Sequence, residues 1–276
     1  MSAIKKTIIA GKLIFEQLIA RNSVRRGEKR AARQAPTVEE VEKTNRRNAE
    51  RTLQIKLHHN FKPGDYHIVL TYGGEAPTKE EAEKAFTKFR DKLRRMCKKE
   101  GKEFKWLAVT EYENKRPHHH LVMNNVVPAD TIRELWKHGF IHDRRLSEDG
   151  DWRKLGEYLI KETDKTFRDP DAPSRLRYTC SRNLSMPPVY REEVTLSDVL
   201  DEPKPVKGYY IDKDSIYKGA DPFSGRPYVE YVMLPADDSK TRKRFNKRAK
   251  EKYHEKKYDK WLKKNAPKQT EMELPF

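Results

Sequence analysis

The chain has 276 residues, of which 35% are apolar and 37% are charged, and it carries a formal net charge of +17 at pH 7. So polar a composition predicts one folded core with extensions rather than a chain that is compact over its whole length. No apolar run approaches the roughly 18 residues of a membrane-spanning helix, which argues against a membrane protein. The excess of lysine and arginine favours a polyanionic partner, most simply a nucleic acid.

The positive charge is concentrated at the two ends of the chain. Residues 1–52 have a net charge of +7 and residues 239–265 of +10, so the remainder is neutral. A neutral centre between basic arms indicates phosphate-binding extensions, although two solvated helical arms have the same charge pattern. We therefore predict a basic helical extension over 1–59, a folded domain over 60–235 and a basic tail over 236–276.

The first twenty residues begin like a signal peptide, but Lys12 and Glu16 interrupt the apolar run and no convincing cleavage site follows. The apolar positions between Ile4 and Ile19 have roughly the spacing of an amphipathic helix. We expect this helix to form the start of the N-terminal extension.

The elements of the central region follow from capping, periodicity and turn residues. In chain order they are a charged helix at 37–58, a strand at 66–72, a helix at 79–100 opened by the capping box of Thr78 and Glu81, strands at 104–113 and 118–124, a short helix at 128–137, a strand at 139–146, a helix at 152–163, and strands at 209–216 and 228–234. The β-α-β-β-α-β order that begins at residue 66 is that of a ferredoxin-like or RNA-recognition-like fold. The predicted class is α+β, with an antiparallel sheet and helices on one of its faces.

Three consecutive histidines open one of these strands. Successive side chains of a strand point to opposite faces, so His118 and His120 share one face and His119 takes the other. Two imidazoles side by side on a strand can hold one divalent metal ion. The alternative is that they are surface residues or hydrogen-bonded core residues.

The strand before the histidines supplies a candidate third ligand. Glu111 and Glu113 lie on one face of that strand, and a hairpin places them beside the histidines. Two imidazoles and a carboxylate with open coordination positions suit Mg²⁺ or Mn²⁺ better than a structural zinc ion. We favour Glu111, with Glu113 as the alternative. Both could also be ordinary exposed strand residues.

A candidate nucleophile lies on the helix at 152–163. Tyr158 and Lys161 are three positions apart and therefore lie on one face of that helix. A tyrosine has an ordinary pKa near 10, so a neighbouring cation helps it to attack a phosphate. The alternative is a tyrosine half-buried against the sheet.

Together, His118-x-His120, a glutamate on the preceding strand and Tyr158-x-x-Lys161 resemble the HUH endonuclease superfamily. More closely, the chain resembles the single-tyrosine rolling-circle replication initiators of small phages, plasmids and single-stranded DNA viruses. The stretches 67–72, 60–65 and 177–184 are also similar to initiator sequences of this type. The resemblance covers about residues 60–235. It departs from the family at His119, where an apolar residue is usual.

The resemblance implies an enzyme that cuts single-stranded DNA at an origin. Tyr158 is then the nucleophile that forms a 5′-phosphotyrosine, and Lys161 stabilises the developing charge. His118, His120 and Glu111 are then the ligands of Mg²⁺ or Mn²⁺.

Further expectations concern DNA and protein partners. Thr71, Tyr72 and Arg116 are the expected contacts to DNA. The chain has no GxxxxGK[ST] motif, so a host helicase is expected to unwind the DNA and a host polymerase to extend it. The expected location is the cytoplasm of a bacterial host cell.

Three other interpretations stay open. A conjugative relaxase favours a third histidine and a nucleophile near the N-terminus, and neither is seen. Single-tyrosine transposases are usually smaller and have no long basic arms. A non-catalytic nucleic-acid-binding module would bind bases on exposed strand aromatics and through its basic arms. That module gives no reason for the histidines, glutamate, tyrosine and lysine to occur together.

Overall fold

The computed structural model describes residues 2–21, 35–112, 116–168, 176–221 and 225–236, without the side chains of 164–168. The chain divides into two compact units. The central unit comprises Ala10–Lys12 and Thr37–Pro187. The terminal unit comprises Met1–Ile9, Leu13–Pro36 and Pro188–Phe276.

The described residues form strands and helices of ordinary length. The strands are β1 (Ser2–Ala10), β2 (Leu13–Ala20), β3 (Tyr66–Leu70), β4 (Trp106–Glu111), β5 (His118–Met123), β6 (Ile141–Arg145), β7 (Thr179–Cys180), β8 (Val189–Thr195), β9 (Tyr209–Ile211), β10 (Tyr217–Ala220) and β11 (Pro227–Pro235). The helices are α1 (Val38–Asn60), α2 (Lys79–Lys99), α3 (Ala129–Leu135), α4 (Arg153–Arg168) and α5 (Leu196–Leu200), with a 3₁₀ turn at Lys213–Ser215.

The central unit contains a five-stranded sheet in the order β6-β3-β5-β4-β7. Every neighbouring pair in it is antiparallel. The first four strands arise from β3-α2-β4-β5-α3-β6, which is the predicted ferredoxin-like arrangement. The α+β class and the hairpin between β4 and β5 are therefore confirmed.

One face of this sheet packs against α2 and α3. Helix α2 begins with the predicted capping box, in which Thr78 and Glu81 bond to each other's backbone N–H. Its apolar stripe joins the inward side chains of β3, β4 and β5 in one cluster. The buried members include Tyr66, Ile68, Leu70, Ala82, Phe86, Phe89, Leu93, Ala108, Leu121, Met123, Ile132 and Trp136.

The other face of the sheet is also covered, by α1 and α4. Its buried cluster is Leu53, Leu57, Phe61, Leu107, Val109, Val122, Leu146, Trp152, Leu159 and Ile160. The prediction of helices on one face was therefore wrong in this respect. The reason is physical: the alternate positions of β4 and β5 are apolar on both faces, and each face needs a partner that removes it from water.

The terminal unit contains a second sheet, in the order β10-β11-β2-β1-β8, with β9 added beside β11. The helix predicted at the start of the chain is wrong, because residues 2–20 form β1 and β2. Gly11, at φ +57°, supplies the left-handed backbone of the tight turn between them. Antiparallel pairing of β2 with β11 then decides the outcome in favour of strands.

The units also divide the chain differently from the predicted domains. Helix α1, expected in the extension, belongs to the central unit. Residues 188–235, expected in the folded domain, belong to the terminal unit. The predicted basic tail lies outside the described residues except for Ala236. Among the described residues, no helix is both long and apolar enough to cross a bilayer.

Candidate active site

The three histidines of β5 have different environments because the strand alternates between two covered faces. His118 and His120 lie on the face that α4 covers, with Val122 in the same row. His119 lies on the α2 face and is fully buried. The face assignment made from the sequence is therefore confirmed for the triplet.

Glu111 lies beside the paired histidines at the end of β4. It is opposite His118 in the β4–β5 register. Its Oε2 is 3.7 Å from Nε2 of His120, and both side chains are buried. The structure thus brings a carboxylate and an imidazole together as the sequence predicts. The alternative ligand, Glu113, lies outside the described residues.

Burial keeps these imidazoles neutral. It lowers the pKa of His120 to about 4, with smaller contributions from His67 and His118. Burial also lowers the pKa of His118. A neutral imidazole has a lone pair available, so near pH 7 both rings have the protonation state that a metal ligand needs.

The donor set fits a divalent cation in its chemistry. Nitrogen and carboxylate donors of this kind suit Mg²⁺, Mn²⁺ and similar ions. Nδ1 of His120 is buried and has no hydrogen-bond partner among the described residues, so this ring has capacity for a further contact. Within the same residues, however, no group of three or more His, Cys, Asp or Glu side chains is arranged around one point that could hold a metal ion. His120 and Glu111 are the pair that the structure brings together.

Tyr158 reaches this pair from α4. Its ring meets that of His120 edge-on, with 5.4 Å between the ring centroids. The side chain is 41% exposed, so its hydroxyl is accessible to a large substrate. Burial raises the pKa of Tyr158, and the carboxylates of Glu162 and Glu111 raise it further. The phenol is therefore protonated near pH 7. Lys161 lies exposed one turn further along α4.

The start of α4 is fixed to α1 by a buried histidine. Nδ1 of His58 donates to the carbonyl of Gln54 at 2.7 Å, and Nε2 accepts from the backbone N–H of Trp152 at 2.8 Å. The His58 ring also stacks on Trp152, with 5.2 Å between centroids. These contacts set where α4 begins, and so where Tyr158 lies relative to the sheet.

His119 anchors the histidine strand to the opposite face of the unit. The Tyr72 hydroxyl donates to the carbonyl of Ala82 and accepts from Nε2 of His119, at 3.0 and 2.9 Å. Nδ1 of His119 then accepts from the Thr110 hydroxyl at 2.9 Å. The His119 ring stacks on Phe86 at 4.6 Å. Burial lowers the pKa of His119 to about 3, which keeps this arrangement neutral.

The three predicted DNA contacts are used within the protein. The Thr71 hydroxyl donates to the carbonyl of Phe140 at 3.0 Å, and Tyr72 is only 7% exposed. The Arg116 guanidinium donates to the carbonyls of Tyr72 and Gly74, at 3.3 and 2.9 Å. These residues shape the loops at the end of β3, and the structure does not place them beside Tyr158.

Sequence analysis missed His67 as a neighbour of the site. Its ring stacks on His120, with 5.7 Å between centroids. Burial lowers its pKa to about 4, and the charge of Arg144 lowers it further. Its Nε2 is buried without a hydrogen-bond partner among the described residues. The alternation of Tyr66, His67 and Ile68 along one strand was the signal that could have placed it on the site face.

Comparison with known proteins gives one match. Residues 65–167 match a family model for replication-associated proteins of the ORF2 type. No curated protein and no solved structure matches the chain. The matched stretch runs from the start of β3 into α4 and so contains the histidines, Glu111 and Tyr158. The match supports a replication-initiator type of protein.

Proposed function

We propose that this protein initiates rolling-circle replication by nicking single-stranded origin DNA, and by rejoining it, through a phosphotyrosine at Tyr158. One observation carries the proposal: the Tyr158 ring lies against His120, which lies against Glu111, inside the stretch that matches a replication-associated family. A tyrosine that only packs on a sheet gives no reason for a neutral imidazole and a carboxylate at its accessible edge.

The covalent step uses groups of known placement. The Tyr158 oxygen forms a bond to the scissile phosphorus, and the bond from phosphorus to the 3′ oxygen breaks. The phenol loses its proton and the departing 3′ oxygen gains one, so the products are a 5′-phosphotyrosine and a free 3′-hydroxyl. The reverse attack by a 3′-hydroxyl rejoins the strand. The phosphodiester energy is conserved, and the step needs no ATP.

The cation that fits this donor set is Mg²⁺ or Mn²⁺, held by His118, His120 and Glu111. When bound it supplies positive charge that polarises the phosphate. The residues themselves do the remaining work. His118 and His120 stay neutral because they are buried. Glu111 raises the pKa of Tyr158 while its charge is uncompensated. Sharing that charge with a cation therefore favours the phenolate, and Lys161 stabilises the charge that develops on the phosphate.

The proposal extends to partners. The chain carries no GxxxxGK[ST] motif, which supports unwinding by a host helicase. The free 3′-hydroxyl is a primer for a host polymerase. These partners place the reaction in the cytoplasm of a bacterial host cell.

The test is covalent capture. Overlapping single-stranded oligonucleotides that tile the replicon encoding this chain are incubated with the purified protein and Mn²⁺, and the products are separated under denaturing conditions. Label at the 3′ end should travel with the protein, whereas label at the 5′ end should leave on a fragment that a polymerase can extend. The adduct should disappear with EDTA and with Tyr158→Phe.

The matched control is Tyr210→Phe, because Tyr210 has a similar exposure of 48% and lies in the terminal unit. It should form adduct at the wild-type rate. Adduct that survives Tyr158→Phe would refute the assignment of the nucleophile. Protein that binds an oligonucleotide but never forms an adduct would instead favour a non-catalytic binding module.

A further inference from the structure

A surface cleft lies at the β7 edge of the central sheet. It has a volume of about 510 Å³ and is lined by Lys56, Leu176, Arg177, Tyr178, Thr179 and Cys180. That volume is in the range of pockets that bind small organic groups, ~300–1,000 Å³. The lining combines two basic side chains, an aromatic ring and an apolar side chain that is 67% exposed, Leu176.

The cleft has an organised centre. The ammonium group of Lys56 lies 5.1 Å from the centroid of the Tyr178 ring and 3.8 Å from Sγ of Cys180. Tyr178 and Cys180 pack on the cluster beneath α1 and α4, which holds them in place. A fixed ring with a flexible cation above it suits a flat base that carries a phosphate.

The sheet register places the cleft near the candidate active site. Cys180 is opposite Leu107, and Thr179 is opposite Ala108. Continuing this register places Tyr178 beside Val109, two residues before Glu111 on β4. At about 3.3 Å per strand residue, the cleft begins roughly 7 Å along the strand from the carboxylate. An extended strand of DNA held at Tyr158 can therefore continue into the cleft.

We propose that this cleft binds one unpaired nucleotide of the strand being cut, next to or one removed from the scissile phosphate. The inference rests on the proposed function and names the subsite that holds the substrate in register. The base packs on Tyr178 and Leu176, and Lys56 binds a phosphate oxygen. Cys180 forms the wall of the subsite. The charge of the chain, +17, agrees with such a partner, but the cleft gives it a position.

The first experiment measures binding of a single-stranded oligonucleotide in the Tyr158→Phe background, where no adduct interferes. Tyr178→Ala should weaken binding about 5-fold or more, as loss of one base–aromatic stack does, whereas Tyr178→Phe should keep it. Lys56→Gln should weaken binding and lower the slope of log Kd against log salt by about 0.7, one single-strand phosphate contact. The control is Lys92→Gln, which removes an exposed charge from α2 on the opposite face and should change Kd less than twofold.

The second experiment needs no substitution in the cleft. Cys180 is partly exposed, whereas Cys97 is 1% exposed, and both are free thiols. A saturating single-stranded oligonucleotide should slow alkylation of Cys180 by N-ethylmaleimide at least about 5-fold, with the modified residue identified by mass spectrometry. Cys97 is the internal reference. An unchanged Cys180 rate at saturation, or equal protection by a duplex of the same sequence, would overturn the proposal.

The two proposals fail separately. Adduct at Tyr158 with no protection of Cys180 would leave the nicking function standing and refute the subsite. Protection of Cys180 with no adduct in the wild-type protein would support the subsite and count against the nickase.

Discussion

Replacing His119 with leucine tests whether the middle histidine is a structural anchor. The substitution keeps the approximate size of the side chain and removes two hydrogen bonds of 2.9 Å, one to Tyr72 and one to Thr110. Each is worth about 1 kcal/mol net. The Tyr72 hydroxyl keeps the carbonyl of Ala82, and the partly exposed Thr110 hydroxyl can turn to water. The expected loss in the free energy of unfolding is therefore about 2 kcal/mol, without a further cost for unsatisfied groups.

The assay is urea unfolding followed by tryptophan fluorescence, because three of the four tryptophans lie in the central unit. The control is His59→Leu, at an exposed position of α1, which should change stability by less than about 0.5 kcal/mol. In a double-mutant cycle, His119→Leu and Tyr72→Phe should share about 1 kcal/mol of coupling. Additive effects, or a His119→Leu protein as stable as the control, would refute the anchor.

Three further predictions follow from the same geometry. Glu111→Gln should lower the pKa of Tyr158, because it removes one of the charges that raise it; NMR titration of ring-labelled tyrosine should show this, and an unchanged titration would exclude Glu111 as a cause. Burial alone would raise the pKa of Asp151, but nearby basic groups outweigh it and hold the pKa below its usual range; stability that this carboxylate provides above about pH 4 should be lost as the pH falls, so urea midpoints should drop less for Asp151→Asn than for the wild type between pH 6 and pH 3. Gly139→Ala should cost about 1–3 kcal/mol in the same assay, because its Cβ would lie 2.3 Å from the carbonyl oxygen of Thr71; a stable variant would show that this contact relaxes.

The sheet of the central unit was predictable because its signals are local. Alternation, capping residues and turn residues mark each of its first four strands within a few positions of its observed bounds. The face assignment of His118, His119 and His120 needed only the two-residue period of a strand. The pairing of Glu111 with these histidines needed only a short hairpin.

The terminal unit was not predictable from such signals. The apolar positions before residue 20 fit a helix about as well as a strand, and the partner that selects the strand, β11, begins more than 200 residues later. The charge of Glu16 argues against burial, yet the residue is 2% exposed. It accepts a hydrogen bond from the Tyr231 hydroxyl at 2.5 Å and pairs with Lys5 at 3.1 Å. A buried carboxylate is tolerated when it is bonded in this way, and neither partner can be identified from local sequence.

The wrong prediction about the helices is informative about the site. Helices on one face only would have placed α4 with α2, and Tyr158 would then lie on the same side as His119. The alternation of β5 makes that arrangement useless for a nucleophile, since His118 and His120 point the other way. Tyr158 can meet His120 only because α1 and α4 cover the second face. The predicted site residues therefore require a two-sided fold, even though the order of elements alone suggested a one-sided one.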